Sequence, residues 1–252
     1  MNEDRFTGKA DIYKKFRPSY PKELMDYLYS QVGFSRDSAI ADIGAGTGIF
    51  SRLLLERGSR VYCVEPNGDM RRALEQDLSG FNNFISVSGN DKNTGLQDKS
   101  VDFVTAAQAA HWFDRQAFKS ECQRILKSGG KVVIVWNNRD DSNEFVIKDY
   151  DIRKKYAVGD KKGLSSLGSP PLDLSDFFAD GFYDYKTFRN DLILNREDYI
   201  GMNLTRSYSP KKEQESEEYH GFVKEMNELF DEYNINGILN YPHFTEIYVG
   251  RV

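Results

Sequence analysis

A glycine-rich turn is the feature that most restricts how this 252-residue chain can fold. The apolar run Ala39–Ile43 has the character of a buried strand, and the turn Gly44–Gly48 follows it directly. Residues 50–57 then place apolar side chains at helical spacing. Glycines let the backbone turn sharply and let a ligand approach main-chain atoms, and a helix start adds N–H donors and a positive dipole end. The segment therefore predicts a strand–turn–helix unit that binds a ligand at the turn.

Short apolar runs alternate with amphipathic stretches on both sides of this turn. The predicted strands are residues 39–43, 60–64, 84–87, 101–106 and 131–136, and the predicted helices are residues 22–32, 50–57, 70–78 and 116–126. A turn at residues 128–130 separates the last of these helices from the fifth strand. Such alternation with short turns predicts an α/β fold with a doubly wound, mostly parallel sheet. Nearly all-apolar strands fit a sheet that helices cover on both faces.

The pattern changes after Trp136. We expect helices at residues 144–156, 174–178, 196–203 and 213–233, a strand pair or one long strand at 182–194, and a last strand at 244–249. These elements suggest three parts. Residues 1–36 form an N-terminal lid and helix. Residues 37–142, 173–195 and 241–252 form a cofactor-binding domain, and residues 143–172 and 196–240 form a helical cover over the substrate.

Composition excludes several functional classes. The net charge of −5 weighs against broad nucleic-acid binding, and no apolar run approaches the roughly 20 residues of a membrane helix. Only two cysteines occur, Cys63 and Cys122, too few for a disulfide scaffold or a structural zinc site, and we expect no metal. The first residues lack the apolar core of a signal peptide. We expect a cytoplasmic protein with a small-molecule substrate and no membrane partner; the oligomeric state stays open.

The spacing of the glycines separates two classes of cofactor. A dinucleotide site has the pattern G-x-G-x-x-G, whose third glycine position is Ile49 here. Gly48 arrives one residue early, which disfavours an NAD-dependent oxidoreductase, the main alternative enzyme class. Glu65 fits both classes, because it ends the second strand 21 residues after Gly44 and can accept hydrogen bonds from both hydroxyls of a ribose.

The G-x-G-x-G spacing, with Asp42 two residues before its first glycine, resembles the first motif of class I S-adenosylmethionine-dependent methyltransferases. The resemblance extends from residue 40 to residue 138. It implies a seven-stranded Rossmann-like sheet, S-adenosylmethionine as cofactor and methyl transfer as activity. The cofactor contacts that it implies are Tyr13, Arg17, Asp42, Gly44, Ala45, Gly46, Thr47, Gly48, Glu65, Pro66, Met70, Asn90, Asp91 and Gln108. The family usually has glycine then aspartate where this chain has Gly89-Asn90-Asp91, so either Asn90 or Asp91 is the candidate for the adenine.

Three shorter segments resemble a narrower subgroup, the trans-aconitate methyltransferase-like proteins. They are residues 13–21, the triplet His111-Trp112-Phe113 and residues 205–208. This resemblance implies a small-molecule acceptor without naming it, and an acceptor that carries a carboxylate is our working hypothesis. The candidate substrate contacts are His111, Trp112, Asn137, Arg139 and Arg206. In this family the N-terminal segment with Tyr13 and Arg17 often closes over the cofactor as a lid.

Methyl transfer from a sulfonium ion makes few chemical demands. The leaving group is already positively charged, and alignment and exclusion of water can supply much of the catalysis. A base is needed only if the acceptor is protonated at the working pH. His111 is the candidate base, and its alternative role is a structural hydrogen bond beside Trp112. Arg206 is a candidate clamp for a carboxylate. A protein that binds the cofactor without turnover remains the non-enzymatic alternative.

Overall fold

A computed structural model describes residues 18–158, 171–206, 208–211 and 216–252. The residues outside these ranges include Tyr13, Arg17, residues 159–170, Ser207 and residues 212–215. The elements, in chain order, are α1 (Lys22–Tyr27), β1 (Ala39–Ile43), α2 (Ile49–Glu56), β2 (Arg60–Val64), α3 (Gly68–Leu78), β3 (Phe84–Val87), β4 (Val101–Ala107), α4 (Arg115–Ile125), β5 (Leu126–Arg139), α5 (Glu144–Tyr156), β6 (Tyr183–Arg189), β7 (Leu192–Leu194), α6 (Arg196–Leu204), α7 (Glu217–Tyr233), β8 (Leu239–Tyr241) and β9 (His243–Gly250).

Seven strands form one sheet in the order β3-β2-β1-β4-β5-β9-β6. The first five strands pair in parallel, and β9 runs antiparallel between β5 and β6. The expected doubly wound, mostly parallel seven-stranded sheet is confirmed. The chain passes from β1 outward to β3 and then returns to place β4 on the other side of β1. The loop after β1 therefore lies where the direction of winding reverses, the usual ligand site of such sheets.

Helices cover both faces of the sheet. On one face α1, α2 and α3 bury an apolar cluster that includes Leu24, Leu54 and Leu74. On the other face α4 packs its side chains, including Phe118, beside Phe177 of a loop segment. Because both faces of the central strands are buried, strands such as β1 carry few polar side chains, as the sequence indicated. Among the described residues, no helix combines the length and apolar character needed to cross a membrane.

A smaller layer, which we call the cover, consists of α5, α6, α7 and the two-stranded sheet of β7 and β8. It has its own core, which includes Phe145, Tyr199, Phe222 and Tyr241. The cover is joined to the sheet where β5 ends, where β6 ends and where β9 begins. Given the strand directions, all three junctions lie at the carboxyl edge of the parallel strands. The cover therefore sits at the same edge as the glycine-rich turn.

Several local expectations were wrong. Residues 174–178 do not form a helix: one turn, closed by the N–H groups of Phe177 and Phe178 on the carbonyl of Leu174, buries these three side chains and ends. Residues 182–194 do not form a strand pair or one long strand, because β6 pairs with β9 and β7 pairs with β8. The segment 192–194, which we assigned to the cofactor-binding domain, thus contributes to the cover.

Other differences concern the ends of elements. The helix expected at 22–32 changes to a π-helical turn over Leu28–Val32 before Gly33 ends it in a left-handed conformation. The turn expected at 128–130 lies within the range of β5, at a register irregularity opposite Val101 and Phe103. Strand β8 had no sequence prediction, because its three residues are too short to show alternation.

Candidate functional site

The turn after β1 is built from glycines in left-handed backbone conformations. Gly46 has a φ angle of +58°, and a Cβ atom added to it would meet no described atom within 4 Å. Gly48 has a φ angle of +84°, and an added Cβ would lie 2.8 Å from the Leu78 side chain. Gly48 therefore lets α2 pack closely on α3, whereas Gly46 leaves main-chain atoms open on the ligand side of the turn. Gly44 and Ala45 anchor the turn by donating hydrogen bonds to the Val64 carbonyl.

Glu65 holds this turn from the end of β2. One of its carboxylate oxygens accepts a hydrogen bond of 2.9 Å from the N–H of Gly46, and the other accepts one of 2.8 Å from the N–H of Asn67. The Glu65 side chain is buried, with 7% of the residue exposed. Its two oxygens are thus held beside the turn and beside the start of α3. The geometry fits a ribose whose hydroxyls approach between the turn and β2.

The Asp42 side chain does not lie on the cofactor side of the turn, where the resemblance implied a contact. Its carboxylate is buried beneath the turn and accepts hydrogen bonds of 2.5 Å from Ser51 and 2.8 Å from Thr105. Burial raises its pKa to about 6, although the two hydroxyl donors act in the opposite direction. Asp42 thus ties β1 to α2 and β4 and lies behind the turn. The assignment of this side chain as a direct cofactor contact is not supported by this geometry.

The start of α3 forms the wall beside Glu65. Asn67 caps the helix by accepting hydrogen bonds from the N–H groups of Asp69 and Met70. Met70 is buried with 3% of the residue exposed, and Pro66 is partly exposed. These two apolar residues therefore flank the carboxylate on its α3 side. They remain the predicted contacts of an adenine ring.

Asn90 and Asp91, the two adenine candidates after β3, both accept hydrogen bonds from main-chain N–H groups. The Asn90 carbonyl oxygen accepts hydrogen bonds from the N–H groups of Lys92 and Asn93. Asp91 accepts a hydrogen bond of 3.1 Å from the N–H of Asp114, at the start of α4. Asn90 thus shapes the turn between β3 and β4, and Asp91 ties that turn to the start of α4. Which of them reaches an adenine therefore stays a prediction.

The ends of β4 and β5 bring three further candidates together. Gln108 adopts a φ angle of +57°, a strained conformation for this residue type, and its amide donates to the Asn137 carbonyl at 3.1 Å. His111 is exposed on a short 3₁₀ turn that also contains Trp112. The indole N–H of Trp136 donates to the Nδ1 atom of His111 at 3.4 Å. In the neutral ring the proton therefore lies on Nε2, facing away from Trp136.

Asn137 anchors the N-terminal segment at this edge. Its amide donates to the Ser19 carbonyl at 3.2 Å, and its side-chain oxygen accepts from Thr245 and from Asn190. Asn190 also donates to the Ser19 carbonyl. Tyr20 packs edge-on against Phe50 of α2, with 4.9 Å between the ring centroids. Asn137 is thus a structural anchor rather than an exposed substrate contact, and residues 18–20 cross the carboxyl edge on their way to α1.

Arg139 and Arg206 converge with a third arginine that the sequence analysis did not single out. Arg153 of α5 donates from Nε to Asp149 at 2.7 Å and from one terminal nitrogen to the Tyr208 hydroxyl at 2.9 Å. Arg206 donates to the Asn203 side chain at 3.3 Å. Burial lowers the pKa of Arg139, and the positive charges of Arg153 and Arg206 lower it further. We call Arg139, Arg153, Arg206 and Asp149 the arginine cluster.

Asp149 organises this cluster. It is fully buried and accepts hydrogen bonds from Tyr199 at 2.8 Å, from Tyr241 at 2.6 Å and from Arg153. Burial opposes its ionisation, yet the arginines and the Tyr241 hydroxyl hold its pKa below the usual range. Asp149 and Arg153 are spaced i, i+4 on a predicted helix, a signal that could have paired them from sequence. Nothing in the sequence places that pair beside Arg206.

Comparisons with known proteins agree with this geometry. Residues 41–134 match the family model described as a methyltransferase domain. An uncharacterized methyltransferase of Mycobacterium tuberculosis is 36% identical over 136 residues, which cover 54% of this chain and 53% of that protein. The alignment thus spans about half of that relative. An uncharacterized methyltransferase of Schizosaccharomyces pombe is 27% identical over 231 residues, 88% of this chain and 86% of the fission yeast protein.

Solved structures share the fold. A putative type II methyltransferase from Anaeromyxobacter dehalogenans superposes with a TM-score of 0.62 at 21% sequence identity, over 94% of this chain and 98% of that one. At this identity the likeness concerns the fold alone. The order of strands and the position of the glycine-rich turn are the features on which the site depends.

Proposed function

Because residues 41–134 form a class I S-adenosylmethionine-dependent methyltransferase domain, we propose that the chain transfers a methyl group to a small molecule that carries a carboxylate. S-adenosylmethionine is the cofactor of this domain and supplies, when bound, a methyl group on a positively charged sulfur. The acceptor and the residues that contact it are the proposed part. Tyr13 and Arg17 stay proposed lid residues, and the cover is the proposed wall of the acceptor site.

The observation that carries the proposal is the hydrogen bond between the Gly46 N–H, in the turn, and the Glu65 carboxylate. The open Gly46 backbone and the carboxylate meet at 2.9 Å, so the two parts of a cofactor site are held in one rigid unit. We propose that Glu65 accepts hydrogen bonds from the ribose and that Gly44, Ala45, Gly46, Thr47 and Gly48 surround the methionine portion. Met70 and Pro66 would pack against the adenine.

The residues near the ends of β4 and β5 have the proposed task of positioning the acceptor. His111, Trp112 and Gln108 follow the end of β4, at the same carboxyl edge as the glycine turn. We propose that residues 18–20 and the cover exclude water there once the ligands are bound. Alignment in a dry site supplies most of what a sulfonium displacement needs. A carboxylate acceptor is ionised at neutral pH and needs no base. For such an acceptor we propose that His111 acts by contact, whereas a phenol or amine acceptor would use it as the base.

Both cysteines support a reducing, cytoplasmic setting for this activity. Cys63 and Cys122 are unpaired and buried in the two apolar layers that flank the sheet. Burial raises the pKa of both thiols, so they stay unreactive in the folded protein.

A turnover assay tests the proposal. The purified protein is incubated with S-adenosylmethionine and with panels of small carboxylates, phenols and amines, and release of S-adenosylhomocysteine is measured. We expect turnover with members of the carboxylate panel. Turnover confined to phenols or amines would contradict the proposed acceptor class. Cofactor binding without turnover on any panel would favour a non-catalytic binding protein.

A further inference from the structure

The arginine cluster contains a buried donor that nothing in the described part of the chain satisfies. The side chain of Arg153 is 0% exposed, and its Nη2 atom is buried without a hydrogen-bond partner. Its Nε and Nη1 atoms are held by Asp149 and Tyr208, so the direction of the remaining nitrogen is fixed. An unsatisfied donor on a buried charged group is costly. Such a donor is a candidate contact for an acceptor atom of a ligand.

Arg206 adds a second guanidinium on the same side of the cover. Its Nε atom bonds to Asn203, which itself donates to the Tyr199 carbonyl and to Asp149. Asp149 is the carboxylate that accepts from Arg153, and it is shared with Tyr199, Tyr241 and Asn203. Among the residues that define the arginine cluster, three guanidiniums thus lie near one carboxylate whose oxygens already accept four hydrogen bonds, and the positive charges outnumber the negative one.

The pKa of Tyr208 reflects the positive charge of the arginine cluster. Burial alone would raise its pKa, but Arg206, Arg153 and Arg139 together lower it below the ordinary value for tyrosine. His243, packed on Tyr241 at 4.3 Å between ring centroids, is kept neutral because burial lowers its pKa to about 3. The neighbouring side chains therefore leave the excess positive charge in place.

We propose that Arg153 and Arg206 clamp a carboxylate of the acceptor and that this carboxylate is a different group from the one that receives the methyl. An oxygen that accepts charge-assisted hydrogen bonds from two guanidiniums has its lone pairs engaged and is a poor nucleophile. The acceptor is thus bifunctional, with an anchoring carboxylate in the cover and a second group at the cofactor. The existence of a methylated group rests on the proposed function, whereas the anchoring carboxylate rests on the arginine cluster alone.

The roles within the cluster follow from its bonds. Asp149 is a positioning residue because it accepts the hydrogen bond from Nε of Arg153. Tyr199 and Tyr241 act through Asp149, since both hydroxyls donate to its carboxylate. Arg139 follows Asn137 by two residues, so the two lie on the same side of β5, and Arg139 links the cluster to the edge that carries the glycine turn. Because Nη2 is screened from solvent, the proposal requires the cover to open before an acceptor can reach it.

A charge series on one carbon skeleton tests the clamp. Glutarate, monomethyl glutarate and dimethyl glutarate carry two, one and no negative charges at neutral pH, and each is titrated calorimetrically into the protein with and without S-adenosylhomocysteine. We expect the two anions to bind and the neutral diester not to bind. Equal binding of all three, or of none, would overturn the clamp. Inorganic phosphate is titrated as well, and binding of phosphate but not glutarate would overturn a carboxylate as the occupant.

Three variants distinguish binding by the clamp from nonspecific attraction between the anion and positive charges on the protein. We expect Arg206→Gln to weaken glutarate binding about 10- to 100-fold, the size of a lost charged hydrogen bond. Arg153→Lys, which keeps a positive charge beside Asp149 but lacks Nη2, has the same expected effect. Arg60→Gln, at an exposed residue on the opposite edge of the sheet, is the control and should bind as the wild type does. Unchanged affinity in Arg206→Gln would contradict the clamp.

The product distinguishes the second group from the anchor. If the anchor is not methylated, glutarate turned over with the cofactor stops at the monomethyl ester, and monomethyl glutarate binds but is not esterified again. Formation of the diester would show that the clamped group also reacts. Affinity for S-adenosylhomocysteine is measured in every variant. If the wild-type protein does not bind S-adenosylhomocysteine, the proposed function fails. The anion titrations would still test the clamp in that case.

Discussion

The N–H of Gly46 donates a hydrogen bond to the carboxylate of Glu65, and this bond joins the turn after β1 to the end of β2. Two residues 19 positions apart in sequence thus share one interaction at the point where the sheet reverses its winding. The same carboxylate also holds the N–H of Asn67, at the start of α3. One side chain therefore sets the relative positions of three segments that would surround the cofactor.

Replacing Glu65 with glutamine should weaken cofactor binding. The amide keeps one acceptor but loses the charge and one of the two main-chain bonds, so we expect affinity for S-adenosylhomocysteine to fall by about 1.5–3 kcal/mol, roughly 10- to 100-fold. Calorimetric titration measures this change. Glu56→Gln, at an exposed residue that ends α2, is the control and should leave the affinity as it is. An unaltered dissociation constant in Glu65→Gln would remove the ribose assignment.

Two glycines offer a matched test of the turn. Gly46 and Gly129 both have positive φ angles, +58° and +81°, and an added Cβ at either would meet no atom of the described part of the chain within 4 Å. We expect Gly46→Ala and Gly129→Ala to lose similar stability, about 1–2 kcal/mol, because alanine is strained in the left-handed region. Only Gly46→Ala should lose S-adenosylhomocysteine binding. Equal affinities in both variants would mean that the ligand does not approach Gly46.

Asp42 predicts a pH dependence of stability. Its pKa rises from 3.8 to about 6 on folding, so between about pH 4 and pH 6 the folded state holds a proton that the unfolded state has released. The stability that this proton confers is complete below pH 4 and is lost as the pH rises through 6, by about 3 kcal/mol in total. The difference in unfolding free energy between wild type and Asp42→Asn should therefore decline over that window.

Urea unfolding at each pH measures this difference. Asp37→Asn, at an exposed residue before β1, is measured alongside as the matched surface variant. A flat difference for Asp42→Asn would show that the buried carboxyl ionises normally.

Removing Asp149 should destabilise the cover strongly. Arg153 would then be left as a buried charge without its carboxylate, which typically costs about 3–5 kcal/mol. Glu144→Ala, on the same helix, removes a solvent-exposed partner of Lys148 and should have little effect. Equilibrium unfolding in urea compares Asp149→Ala with this control. Similar midpoints for both variants would contradict the central place of Asp149 in the cluster.

His111 can be assigned by the pH dependence of turnover. With a carboxylate acceptor we expect the rate to be level between pH 6 and pH 8, since the acceptor is ionised throughout. His111→Ala should keep the affinity for S-adenosylhomocysteine and lower the rate equally at every pH. A wild-type rate that falls below pH 7, with that fall absent in His111→Ala, would instead make His111 a general base.

The sequence predicted the sheet and the turn because both follow from local patterns. Strand β3 matches its prediction at both ends, since an apolar run bounded by turn residues is a local signal. Asp42 was misjudged, because whether a side chain at a strand end points to the ligand or into the core depends on its partners Ser51 and Thr105. The spacing of residues along the chain does not reveal which way such a side chain faces.

The cover was harder to predict than the sheet. Arg153, Asp149 and Arg206 come together only because α5 and α6 pack on each other and on β8, and such contacts between distant segments leave no periodic pattern. Short strands such as β7 gave no usable alternation. The sequence therefore indicated the cofactor side of the site residue by residue, and gave only isolated candidates for the acceptor side.

Calorimetric titration of the purified protein with S-adenosylhomocysteine, with NAD⁺ as the matched control ligand, tests the central claim most directly. The glycine spacing and the joint between Gly46 and Glu65 predict saturable binding of S-adenosylhomocysteine and none of NAD⁺. Binding of NAD⁺, or no binding of S-adenosylhomocysteine, would contradict the assignment of the turn as a site for S-adenosylmethionine.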